Sequence, residues 1–143
     1  MKTILRAKST EVSINTDGLV RTIGEKINPT GRKKLSRMLT ERNMDYVLEI
    51  ATKQIDAGAD ILDINVGVPG EDEVELLPAV VTLVAEHFDI PLCLDSANPK
   101  ALAAGLAVAP GRPLVNSVNG EEKSLENILP LVKEYQVAVI GLT

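Results

Sequence analysis

A chain of 143 residues with 45% hydrophobic and 24% charged side chains is long enough to bury one core, and its formal charge of -5 supplies no positive field to gather a phosphate backbone. With no Trp, two Tyr and one Phe, it lacks ring platforms for stacking bases and the aromatic belt of a membrane surface. A single Cys93 excludes an internal disulfide, and one His and one Cys are too few for a soft-ligand cluster, so no bound metal is expected.

The N-terminal segment Met1 to Lys8 is charged with no apolar run behind it, and no stretch approaches the roughly 20 apolar residues of a membrane span. These features predict a cytoplasmic protein that partners neither nucleic acid nor membrane. Val12 and Ile14 alternate with polar residues and Asp17-Gly18 is a hairpin-turn signal, which predicts a short hairpin leading into a strand over Val20 to Ile27. A polar loop from Asn28 to Lys34 follows, carrying Pro29, Gly31 and the successive cations Arg32, Lys33 and Lys34. Such a run reads as solvated surface, with an anionic tail or an acidic partner as the functional alternative.

Between Asp45 and Gly58, the residues Val47, Ile50, Ala51 and Ile55 share one helical face, and Gly58 stands where a left-handed stop is wanted. Asp60 to Val66 reads as a strand, Glu71 to Phe88 as a helix, and Pro91 to Asp95 as a strand. Asn98-Pro99 opens a short Ala-rich helix to Leu106, because Asn caps free amides and Pro lacks an N-H that would be unpaired there. Leu114 to Val118, Ser124 to Tyr135 and Val137 to Leu142 read as strand, helix and strand. Pro78 and Pro130 fall inside two of these helices, where each costs about 3 kcal/mol unless the helix starts late or kinks.

Apolar strands alternating with helices predict a parallel sheet covered by helices. An open doubly wound sheet suits this length, whereas a closed (β/α)8 barrel takes about 250 residues. The last expected strand is followed by no helix, so the chain reads as one domain over residues 1–143 that is cut short.

Side chains alternate along a strand, so Asp63 and Asn65 share a face, Asp95 shares one with Cys93, Asn116 with Leu114 and Glu25 with Ile23. Four successive strands thus carry a carboxylate or amide near their C-terminal ends, where parallel sheets bind ligands. Buried carboxylates are costly unless paired, so this recurrence points to a common polar pocket. Local roles remain open for Asp63 as a loop anchor, Asn116 as a turn residue and Glu25 as a partner of Lys26 or Arg32. A pocket of carboxylates and primary amides suits a flat heterocycle such as an aminopyrimidinone, and equally a sugar or hydroxy acid. His87 answers the dipole at a helix end rather than catalysis, and Gly67, Gly70 and Gly120 belong to no nucleotide-binding motif.

The segments Ile23 to Gly31, Gly58 to Gly67, Leu94-Asp95-Ser96 and Leu114 to Gly120 resemble, in order, the strand-end motifs of the pterin-binding superfamily. Within it they are most similar to methyltetrahydrofolate:corrinoid methyltransferases. Dihydropteroate synthases are the nearest alternative, but Asn28-Pro29-Thr30-Gly31-Arg32 lacks their Asp-Ser-Phe portion, and Val66-Gly67-Val68-Pro69-Gly70 lacks their Arg for a diphosphate leaving group. The resemblance implies a partial (β/α)8 TIM barrel of about five strands and four helices behind a short N-terminal hairpin.

It further implies a tetrahydrofolate derivative as substrate and a cobalamin or other corrinoid carried by a partner protein. Asp95 and Asn116 would hold the pyrimidine edge of the pterin and Asn65 would line the pocket, with Asp63 and Glu25 added from the strand pattern. The family's remaining pterin carboxylate and the Asn acting near N5 lie on later strands, so the catalytic residue is unassigned. A partial barrel has open edges, which predicts a homo-oligomer, and a non-catalytic pterin-binding or assembly module is the further alternative.

Overall fold

The computed structural model describes residues 2–143. β1 (Lys2–Arg6) and β2 (Glu11–Asn15) form an antiparallel hairpin with Leu5 opposite Val12. The chain continues through β3 (Ile23–Ile27), α1 (Lys33–Thr40), α2 (Asp45–Asp56), β4 (Ile61–Ile64), α3 (Glu73–His87) and β5 (Leu92–Asp95). It ends through α4 (Pro99–Val108), β6 (Leu114–Val118), α5 (Glu122–Tyr135) and β7 (Ala138–Gly141). The last five strands make one parallel sheet in the order β3-β4-β5-β6-β7.

Local chemistry explains most boundaries. Asn98 Oδ1 accepts from the amides of Lys100 at 3.0 Å and Ala101 at 3.4 Å, with Pro99 at the first helical position as expected. Asp72 caps α3 by accepting from the Val74 amide at 2.9 Å, and His87 closes that helix with Nδ1 donating to Leu83 O at 2.9 Å. Gly58 takes φ +96° just beyond α2, a conformation in which a Cβ is strained. On α2, Val47, Ile50, Ala51 and Gln54 are buried, while Ile55 is only partly so.

Both internal prolines sit within continuous helices. In α3 the cost of about 3 kcal/mol at Pro78 is outweighed by burial of Leu76, Leu77, Val80, Val81 and Val84, each contributing roughly 1.5–3 kcal/mol.

Two expectations are corrected. The hairpin turn lies between Ala7 and Thr10, where the Ala7 amide donates to Thr10 O at 2.9 Å, and Asp17-Gly18 falls after β2. The turn is held by a distant carboxylate instead of by its own residue preferences. Asp89 accepts from the Ser9 amide at 3.0 Å, the Thr10 amide at 3.4 Å, the Thr10 hydroxyl at 3.0 Å and the Ser9 hydroxyl. Helices number five among the described residues, not four. The additional α1 opens on the basic run and buries Leu35, Met38 and Leu39 at helical spacing, so its apolar face begins behind three cations.

Strand alternation divides the core into two layers. Leu62, Ile64, Leu92, Leu94 and Val115 face the helices and pack with Leu77, Val80 and Leu102. The opposite face sets Ile61, Cys93, Leu114 and Ala138 against Leu5 and Val12 of the hairpin. The hairpin is joined to the sheet by paired backbone bonds between Arg6 and Arg112 and by Arg112 Nη1 donating to Ile4 O at 2.7 Å. It therefore covers the N-terminal half of this face and leaves the C-terminal strand ends clear.

A strand-end site of carboxylates and amides

Above the apolar floor, the same face turns polar. Asp63 follows Ile61 by two residues, Asp95 follows Cys93 and Asn116 follows Leu114, so each polar group stands one step toward the C-terminal end. The register sets Asp63 beside Cys93 and Asp95 beside Asn116.

Side chains bridge these strands. Asn65 Nδ2 donates to Asp95 Oδ2 at 3.0 Å, and Asn116 Nδ2 reaches over β5 to Asp63 Oδ2 at 3.1 Å. Contact between alternate strands is the layering expected of a tilted barrel-type sheet. Asn65 also serves its own loop, with Oδ1 accepting from the Gly67 amide at 2.9 Å. Four of the five expected residues, Asp63, Asn65, Asp95 and Asn116, are thereby brought together.

Glu25 stands apart. The pairing of Ile23 with Ile61 and of Ile27 with Ile64 leaves one extra residue in β3, a bulge at Glu25 and Lys26. Gln54 Oε1 accepts from the Lys26 amide at 2.8 Å and so satisfies the bulged backbone. Glu25 is exposed, and it pairs with neither Lys26 nor Arg32. It still lies close enough to influence Asp63 electrostatically.

Asp63 is 1% exposed and its carboxyl is pushed up to about 6. Burial is the main cause and the negative charges of Asp95 and Glu25 add to it, while hydrogen bonds from Asn116 and Cys93 oppose it. Burial, then the neighbouring Asp63, pushes the Cys93 thiol up, so it remains a protonated donor beneath the carboxylate.

Unused valences indicate what the site can accept. Among the described residues, Asp95 Oδ1 and Asn116 Oδ1 receive no hydrogen bond, and each bridging amide nitrogen has a second N-H. A flat ligand edge that both donates and accepts would complete this set. The Ser96 brace next to it escaped the sequence reading. Ser96 Oγ donates to Glu73 Oε2 at 2.7 Å and accepts from the Asn98 amide at 3.1 Å, holding the loop after Asp95. Its one sequence signal is the Ser-x-Asn spacing ahead of Pro99. No group of three or more His, Cys, Asp or Glu among the described residues is arranged to hold a metal ion.

A parallel βα sheet with polar side chains converging at its C-terminal ends defines a barrel-type ligand-binding domain. This chain belongs to the pterin binding enzyme family, whose sequence model matches residues 24–143. It is 33% identical over 139 residues to the methionine synthase of Mycobacterium tuberculosis (strain ATCC 25618 / H37Rv), a match spanning 94% of this chain and 12% of that protein.

Its fold is that of a Yersinia pestis dihydropteroate synthase solved with a pterine-sulfa conjugate, with TM-score 0.66, 20% identity, and coverage of 99% of this chain and 49% of that one. A Xanthomonas albilineans dihydropteroate synthase in complex with 7,8-dihydropteroate gives TM-score 0.61 and 20% identity, over 96% of this chain and 49% of that one. The chain thus spans about half the length of these synthases, and their likeness establishes the architecture of a partial TIM barrel.

Proposed function

We propose that residues 1–143 act as one pterin-binding domain that holds N5-methyltetrahydrofolate and presents its methyl group to the cobalt of a corrinoid on a partner protein. The observation that carries this reading is the joined set Asn65–Asp95 and Asn116–Asp63, with open acceptor and donor valences at the strand ends. Asp95 accepts two parallel N-H bonds from the aminopyrimidinone edge, and the Asn116 amide donates to and accepts from the same ring. Asn65 fixes Asp95 in place, and Asp63 fixes Asn116.

Methyl transfer breaks the N5–CH3 bond, leaves its electron pair on N5 and forms a cobalt–carbon bond with the electron pair of cobalt(I). The amine left behind requires hydrogen bonding or a proton at N5, for which no residue of this chain is assigned. Similarity to a methionine synthase at 33% identity supports this choice of chemistry over pterin condensation. So does the absence of an Arg in the segment Val66 to Gly70.

Calorimetric titration with N5-methyltetrahydrofolate should show saturable binding at one site per chain. Adding a reduced corrinoid protein should produce methyl-cobalt absorbance. Absence of pterin binding refutes the reading. Binding without transfer leaves a non-catalytic module, and formation of dihydropteroate from a pterin diphosphate and p-aminobenzoate would make the chain a condensing enzyme of folate biosynthesis.

A further inference from the structure

Beside the strand-end site, the loops following β3 and β4 enclose a cleft of about 530 Å3 lined by Pro29, Gly31, Arg32, Lys33, Gly67 and Pro69 among others. The cleft adjoins the site through covalent and hydrogen-bonded neighbours. Gly67 donates to Asn65, which in turn donates to Asp95. Pro29 stands two residues beyond the end of β3.

The charge of this cleft contrasts with that of the site. Asp63, Asp95 and Glu25 make the strand ends acidic, and the chain as a whole carries -5, yet two cations line the cleft. Neither Arg32 nor Lys33 forms an ion pair among the described residues, where the bridges use Arg6, Arg21, Arg37, Arg42 and Lys53. Lys34 is engaged elsewhere, its ammonium 4.3 Å from the centre of the Tyr46 ring. Arg32 also precedes α1, whose first turn has neither a side-chain cap nor an acidic residue, so uncapped amides add donors beside the two cations.

We propose that this cleft receives the glutamate tail of the folate, with Arg32 and Lys33 meeting its carboxylates. The proposal rests on the pterin-binding reading above and adds a tail subsite to it. Guanidinium and ammonium groups pair with carboxylates, and the two prolines give an apolar wall to the chain that links tail to ring. Because the pterin edge is held by acidic residues, a separate cationic cleft lets one ligand place opposite polarities at its two ends.

The test compares three probes on the full chain by calorimetry: a 5-methyl-tetrahydropterin without a tail, N5-methyltetrahydrofolate with one glutamate, and its triglutamate form. The Kd of the tail-free probe should exceed that of the triglutamate by roughly tenfold at low salt, with the monoglutamate between, and added salt should compress the ratio. Arg32→Gln with Lys33→Gln should bring the ratio below about twofold, whereas Lys34→Gln should preserve it. Circular dichroism checks that each variant is folded, and Arg32→Lys with Lys33→Arg, which preserves charge, should retain tail dependence.

Equal affinity for the three probes in the parent chain overturns the tail subsite and leaves the pterin reading intact. An unchanged ratio in the Arg32, Lys33 variant, or the same collapse in Lys34→Gln, also overturns it, the latter by exposing a diffuse field. If no probe binds the parent chain, both readings fall.

Discussion

Replacing Asp63 by Asn should stabilise the protein at alkaline pH and have little effect in acid. The carboxyl has an ordinary value of 3.8 and is pushed up to about 6 in the fold, mainly by burial. Between those values the folded state holds a proton that the unfolded state releases, so stability falls as pH rises across the window. The penalty is complete above about pH 6 and absent below about pH 4. The displacement corresponds to about 3 kcal/mol for a side chain that is 1% exposed.

An Asn at this position keeps an oxygen to accept from Asn116 and removes the charge that burial disfavours. Urea denaturation should therefore show Asp63→Asn more stable by up to about 3 kcal/mol at pH 8, converging with the parent near pH 4. In a thermal melt at pH 8 the gain is on the order of 8 °C for a domain of this size. A variant less stable than the parent at pH 8, or an offset independent of pH, would refute the assignment of burial as the dominant influence.

Other substitutions test separate parts of the molecule. Asp95→Asn should weaken N5-methyltetrahydrofolate binding by about 2 kcal/mol by calorimetry, because a charge-assisted pair with the pyrimidine edge is lost; unchanged affinity would show that Asp95 does not hold the ring. Asp89→Asn should raise amide exchange across residues 2–15 by releasing Ser9 and Thr10. Those same hydrogen bonds hold the Asp89 carboxyl well below the usual carboxylate range, so its contribution to stability should survive mild acid and be lost only as pH falls through that depressed value. Gly105→Ala places a methyl 2.8 Å from Leu94 Cδ2 and 3.1 Å from Leu77, and should cost about 1–3 kcal/mol in urea despite the better helix propensity of Ala.

The periodic part of the fold is legible residue by residue. Leu114 to Val118 is a strand with the bounds that its apolar run predicts, and Asn98-Pro99 starts a helix through the cap that those two side chains encode. Alternation alone also assigns Asp63 and Asn65 to one side of the chain, Asp63 within β4 and Asn65 just past its end. The gathering of Asp63, Asn65, Asp95 and Asn116 is anticipated because all four stand at the same end of consecutive strands. Beside Glu25 the legibility stops short: the same alternation places it with the others, and its charge does reach Asp63, but the adjoining bulge bonded by Gln54 on α2 is not written in that alternation.

Sequence by itself determines the alternation of strands and helices, the polar strand ends and the membership in a pterin-binding family, since each is written in short-range periodicity or ordered local motifs. Only the tertiary structure decides that Asn116 bonds Asp63 across an intervening strand, 53 residues away, and that Asp89 holds a turn 80 residues before it. Local residue preferences carry no information about such partners. Sheet twist, burial and the competition among distant polar groups for the same hydrogen bonds select them once the chain has closed on itself.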